Sequence, residues 1–83
     1  MTTQITIYQR DGCHLCEIAS AQLEQLQSDY QFELEQVDIE SSDHLHRLYL
    51  ERIPVIALDG EELYDFEINL PDLKSRLLAI SAR

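Results

Sequence analysis

The stretch Ile5-Thr6-Ile7-Tyr8-Gln9-Arg10-Asp11-Gly12-Cys13-His14-Leu15-Cys16 changes its period midway. Ile5 and Ile7 alternate as in a strand and Asp11-Gly12 breaks the run; from Cys16 onward the apolar residues recur at helical spacing. A strand feeding straight into a helix puts Cys13 at the helix start. Unpaired backbone N–H groups and the positive end of the macrodipole make a thiol there easier to ionise than one in free solution. Cys13 is the candidate nucleophile, and Cys16 is the only other cysteine.

Working outward, Cys16, Ala19, Leu23, Leu26 and Tyr30 mark one helix face, with Glu17, Gln22, Glu24 and Gln27 left for water. The spacing predicts a helix to about Asp29, its apolar face widened by Leu15 and Ile18. Phe32, Leu34, Val37 and Ile39 predict a second strand whose apolar phase slips, as a bulge or burial on both faces would require. Ser42 and Asp43 open a short helix with Leu45, Leu48 and Tyr49 inward, ended by Ile53-Pro54. Val55-Ile56-Ala57-Leu58, Asp59-Gly60 and Leu63-Tyr64-Asp65-Phe66 predict a hairpin, since Asp-Gly supplies the positive φ angles of a tight turn. Asn69 caps a last helix, with Pro71 and Asp72 in its first turn and Leu73, Leu77 and Ile80 turned inward. The order βαβαββα implies an α/β fold with a four-stranded mixed sheet. The first two strands are parallel across a helical crossover, the last two form an antiparallel hairpin, and helices cover both faces.

The 83 residues suffice for one domain, expected over 1–83. With only two Gly and two Pro in the chain, linkers and disorder are not expected. Six cations, Arg10, Arg47, Arg52, Lys74, Arg76 and Arg83, are scattered among sixteen acids, for a net charge of -10. Nucleic acid is thereby excluded as an expected partner, and anionic thiols such as glutathione are repelled unless local arginines offset the field. Met1-Thr2-Thr3-Gln4 carries no basic leader and no apolar run would span a bilayer, so a cytoplasmic location without membrane association is expected. In a reducing compartment, cysteines spaced three apart are more often redox-active or metal-binding than a permanent staple.

Positions i and i+3 of a helix share a face at a Cα separation that a disulfide tolerates. Attack by Cys13 on a disulfide gives a mixed disulfide that Cys16, one turn deeper, can resolve. This makes Cys13 exposed and Cys16 sheltered. A protonated His14 beside the nucleophile would favour the thiolate, although a histidine in a first turn more often faces solvent. A zinc site would need two more ligands, for which His44 and His46 are available, but i and i+2 point apart on a helix. An iron-sulfur cluster shared between subunits, or a non-catalytic redox-sensing or binding module, are the other readings of the pair.

With Gly12-Cys13-His14-Leu15-Cys16-Glu17 after the first strand and Arg52-Ile53-Pro54-Val55 opening the third, the chain resembles the glutaredoxin branch of the thioredoxin-like superfamily. The resemblance implies a thiol-disulfide oxidoreductase with Cys13 as nucleophile and Cys16 as resolving thiol. It implies that Pro54 is the cis-proline facing the cysteines, leaving the Ile53 backbone to pair with an extended substrate. Arg10 stands where a basic residue supports the thiolate or binds a glutathione carboxylate, and Arg52 is a second anion contact by proximity. Arg10, His14, Ile53 and Pro54 are thus the expected substrate-binding residues.

The chain departs from glutaredoxins at Phe66-Glu67-Ile68-Asn69-Leu70-Pro71-Asp72, where their Gly-Gly-x-Asp turn holds the glutathione α-carboxylate. No cofactor or metal is expected, and glutathione is disfavoured as reductant. The expected partners are protein or low-molecular-weight disulfides, with glutathione or a flavoprotein reductase as electron donor, acting on a monomer.

Overall fold

The fold, a computed structural model, is described over residues 2–81; Met1, Ala82 and Arg83, at the ends of the domain expected over 1–83, lie outside the described residues. Strand β1 (Gln4–Gln9) leads to helix α1 (His14–Leu26), β2 (Glu33–Asp38), a short 3-10 turn (Ile39–Ser41), α2 (Asp43–Tyr49), β3 (Val55–Leu58), β4 (Glu61–Asp65) and α3 (Leu70–Ser81). The sheet order is β2-β1-β3-β4. β1 runs parallel to β2 and antiparallel to β3, which pairs antiparallel with β4. This is the mixed α/β sheet that the order of elements implied.

Alternation in the central strands divides the core into two layers. Ile5 and Ile7 of β1 and Ile56 and Leu58 of β3 face one side, where Ala19, Leu23 and Leu26 of α1 and Leu73 and Leu77 of α3 close over them. Val55 faces the other side with Ile39 and Tyr49, backed by Tyr8, Leu45, Leu50 and Ile53. Ile5, Ile7, Val55 and Ile56 are fully buried, so the two inner strands form the centre of both layers.

Of the two alternatives for the second strand, partial burial on both faces is the one found, and three further local features differ from expectation. β2 keeps unbroken register with β1 from Gln4↔Glu33 to Gln9↔Asp38, so the apolar slip is no bulge. In this edge strand Leu34 and Val37 lie on opposite faces, each half-covered, while Phe32 and Ile39 are buried outside the strand. The bulge sits in the hairpin instead. Ile56 pairs with Tyr64 but Ala57 with Glu62, which leaves Leu63 as the extra residue. α1 ends at Leu26 rather than near Asp29, passing into turns. Leu15, Ile18 and Leu48, expected to face inward, are 46%, 44% and 46% exposed. The hairpin turn itself has the anticipated form, with φ of 49° at Asp59 and 89° at Gly60, and Asp59 Oδ1 accepts the Gln4 N–H at 2.8 Å. No helix among the described residues is long and apolar enough to cross a membrane.

Candidate active site

The strand-to-helix junction needs a sharp reversal, and Gly12 provides it at φ +78°, a backbone conformation that side chains disfavour. A Cβ there would meet nothing within 4 Å, so the requirement is conformational rather than steric. Cys13 follows as the N-cap of α1, extended at φ -94° and ψ 106°. Its Sγ accepts the Cys16 N–H at 3.1 Å and its carbonyl accepts the Glu17 N–H at 3.1 Å. A sulfur therefore occupies the place of the usual oxygen cap, satisfying one of the free amides of the first turn. The cysteines are joined in a disulfide, with a Cα–Cα separation of 5.2 Å that lies within the ordinary disulfide range. Cys16 is 2% exposed and Cys13 is half-buried, an asymmetry that makes Cys13 the sulfur an incoming group can reach.

The register of the sheet fixes what stands near this pair. Tyr8 of β1 pairs with Val55 of β3, so Pro54 lies at the end of the sheet from which the Cys13 loop departs. The Ile53-Pro54 peptide bond is cis and Pro54 is fully buried, with Ile53 half-buried beside it. Phe66, just beyond β4, returns to the same place by donating its N–H to the Pro54 carbonyl at 2.8 Å. It does so at φ +68°, a left-handed conformation costing a non-glycine residue about 1 kcal/mol or more.

The expected anion contacts are otherwise engaged. Arg10 flanks the cleft beside Gly12 and Cys16 but pairs with Glu40 at 3.2 Å. Arg52 donates from Nε and Nη2 to Asp65 at 3.1 and 3.2 Å, and from Nη2 to Glu62 at 2.6 Å. These bonds hold the Arg52 guanidinium well above its ordinary pKa and hold the Glu62 carboxyl below its own, chiefly through the Arg52 bond. His14 is exposed, its Nδ1 3.9 Å from Glu17 on the same helix and facing water. His44 is exposed on α2 and His46 lies 3.8 Å from Glu40. Among the described residues no three His, Cys, Asp or Glu side chains are placed to hold a metal ion.

Residues 4–78 match the glutaredoxin-like domain family (DUF836). The chain belongs to the glutaredoxin-like domain family. Among solved structures it is similar to a Nitrosomonas europaea protein solved by solution NMR, at 35% identity over 93% of each chain and a TM-score of 0.79. It is also similar to an X-ray structure of a protein from X. campestris, at 36% identity over 90% of this chain and 96% of that one, with a TM-score of 0.72. A mutant thioredoxin from Halobacterium salinarum shares the fold at 20% identity and a TM-score of 0.67, covering 93% of this chain and 73% of that one. The comparison with curated proteins found no match.

Within this glutaredoxin-like fold the Phe66–Asp72 segment forms a closed cap. Asn69 Oδ1 accepts the Asp72 N–H at 3.1 Å, and the Asn69 carbonyl accepts the Leu73 N–H at 2.9 Å. The first turn of α3 is thus served by its own residues, with Glu67 and Asp72 nearby. Periodicity missed Phe66 as a residue of this region, because nothing local signals a positive φ at a phenylalanine. The one available signal was negative, the missing glycines at that place in the chain.

Proposed function

We propose that the protein is a dithiol thiol-disulfide oxidoreductase. The observation that carries this reading is the pairing of a half-buried N-cap sulfur, Cys13, with a sheltered sulfur one turn on, Cys16, in a bond that closes across a single helical turn. In the reduced protein the Cys13 thiolate attacks one sulfur of a substrate disulfide, forming a mixed disulfide and expelling the other sulfur as a thiolate. Cys16, as its thiolate, then attacks the Cys13 sulfur and releases the second substrate thiol. Two electrons pass to the substrate, and the protein is left with the Cys13–Cys16 disulfide. Pro54 and Ile53 shape the entrance for the substrate backbone, and His14 lies next to the nucleophile.

Regeneration needs an external two-electron donor: a dithiol, two equivalents of a monothiol such as glutathione, or a reductase. With Arg10 and Arg52 committed to carboxylates and the α3 start self-capped, the surroundings support a flavoprotein reductase or a protein dithiol over glutathione as donor. Work as a cytoplasmic monomer is part of this reading, and a net charge of -10, which keeps copies apart, is in keeping with the monomer.

The test is equilibration in graded redox buffers followed by alkylation and mass spectrometry. A reversible Cys13–Cys16 pair is expected at a potential between about -270 and -180 mV. Cys16→Ser should accumulate a mixed disulfide on Cys13, and Cys13→Ser should lose more than about a hundredfold in reduction of a small neutral disulfide. Thiols that never pair would overturn the reading.

A further inference from the structure

Resting on the oxidoreductase reading, we infer that a cleft beside the cysteine pair docks a protein substrate by one apolar side chain flanked by basic residues. Leu15, Ile18 and Phe66 are 46%, 44% and 49% exposed, and all three line one cleft with Ala19 and Ile68, which are 1% and 8% exposed, as its floor. Leu15 and Ile18 are i and i+3 on α1, so they form one ridge, and Leu15 lies in the first turn after Cys13. Phe66 forms the opposite wall, fixed by its N–H bond to Pro54. Two independent departures from ordinary folding thus meet at one place: large apolar side chains left in water, and a phenylalanine held at positive φ.

Size and charge select the occupant. The cleft holds about 120 Å³. Pockets for drug-sized small molecules begin near 300 Å³, whereas a cavity of roughly 150 Å³ accommodates a benzene ring. One leucine-sized side chain fits, and a whole glutathione does not. Glu67 lines the cleft, in a protein of net charge -10 whose cations Arg10 and Arg52 are paired with acids. A second copy of this chain would bring the same negative field and be repelled, whereas a partner segment with Lys or Arg beside its apolar residue is drawn in.

Binding is measured with the oxidised, isotope-labelled protein and two amidated peptides, Lys-Leu-Ser-Lys-Gly and Glu-Gly-Ser-Glu-Gly, in which serine replaces the reacting cysteine. The first peptide should shift the amides of Leu15, Ile18, Phe66 and Ile68 and bind at least tenfold more tightly than the second. Raising salt to about 0.5 M should weaken it severalfold. Ile18→Ser, on an exposed helix position, and Phe66→Asn, which tolerates positive φ, should each weaken it by about threefold or more. Equal affinities, shifts elsewhere, or shifts that follow protein concentration without peptide would overturn the proposal, the last by identifying a second copy as occupant. Turnover of a small neutral disulfide by the unaltered protein is scored separately. Its absence would overturn the oxidoreductase reading while leaving the peptide result intact.

Discussion

Tyr49 is buried at the C-terminal end of α2, its ring stacked on Tyr8 at 4.3 Å between centroids and its hydroxyl donating to Glu62 at 2.9 Å. Burial first, and then the bond to Glu62, push its pKa up to about 12. Tyr64 is pushed up to about 12 as well, by burial and by its 2.6 Å bond to Asp72. Because folding favours the protonated phenols, this stabilisation is complete below the ordinary tyrosine value of 10.0 and is lost as pH rises through about 12. Urea unfolding should therefore show stability falling between pH 10 and 12, less steeply in Tyr49→Phe, which at pH 7 should cost about 1–2 kcal/mol for its lost bond to a carboxylate. An alkaline slope identical in the two proteins would refute the assignment. None of this was legible in the sequence. Tyr49 showed itself only as an inward helix position, since its partners Tyr8 and Glu62 lie far away in the chain. The place of Cys13 at the start of α1 was legible, because the strand, the Asp11-Gly12 break and the helical spacing around it are local.

The elements that could be read from the chain are those set by local chemistry. Asp59-Gly60 dictates its own turn and Asn69 its own cap, whatever the rest of the molecule does. The elements left open or misread are those whose form depends on a neighbour. Leu34 and Val37 look out of phase until β1 places them on opposite faces, and the Leu63 bulge exists only relative to β3. The connection after α2 is likewise tertiary. Arg52 lies 5.4 Å from the Tyr49 ring and forks onto Asp65 and Glu62, tying the residues before Pro54 to β4. Arg52→Ala should lower the urea midpoint at pH 7 by about 0.3 M, a modest effect since exposed pairs contribute little. Arg52 holds the Glu62 carboxyl below its ordinary 4.5, so this contribution is present above that pH and lost as pH falls. The two proteins should therefore converge in stability as pH falls below 4.5. A difference that persists there would mean that Arg52 acts through packing on Tyr49 rather than through its charge.

At the scale of the whole molecule the dominant fact is a net charge of -10, and its consequence is kinetic. A field of one sign raises encounter rates with cations and lowers those with anions without altering the chemistry at the sulfur. The arginines that could screen the cysteine pair locally, Arg10 and Arg52, are paired with Glu40, Glu62 and Asp65, so the long-range field reaches the entrance uncorrected. Cystamine, a dication, and glutathione disulfide, a dianion, both present accessible aliphatic disulfides to the reduced protein, so their ratio of second-order rate constants reports mainly the field. Cystamine should be favoured by about tenfold or more near 0.02 M ionic strength, where the screening length exceeds 20 Å. By about 0.5 M, where screening acts within a few ångströms, the ratio should approach that of the same disulfides with a free small thiol. Stopped-flow oxidation of the reduced protein across this range measures both limits. A ratio indifferent to salt would show that the paired arginines do release their carboxylates for an anion, restoring glutathione as a donor. A ratio that collapses with salt would mean that the surface itself selects cationic disulfides, the same selection the Leu15–Ile18–Phe66 cleft imposes on a protein segment.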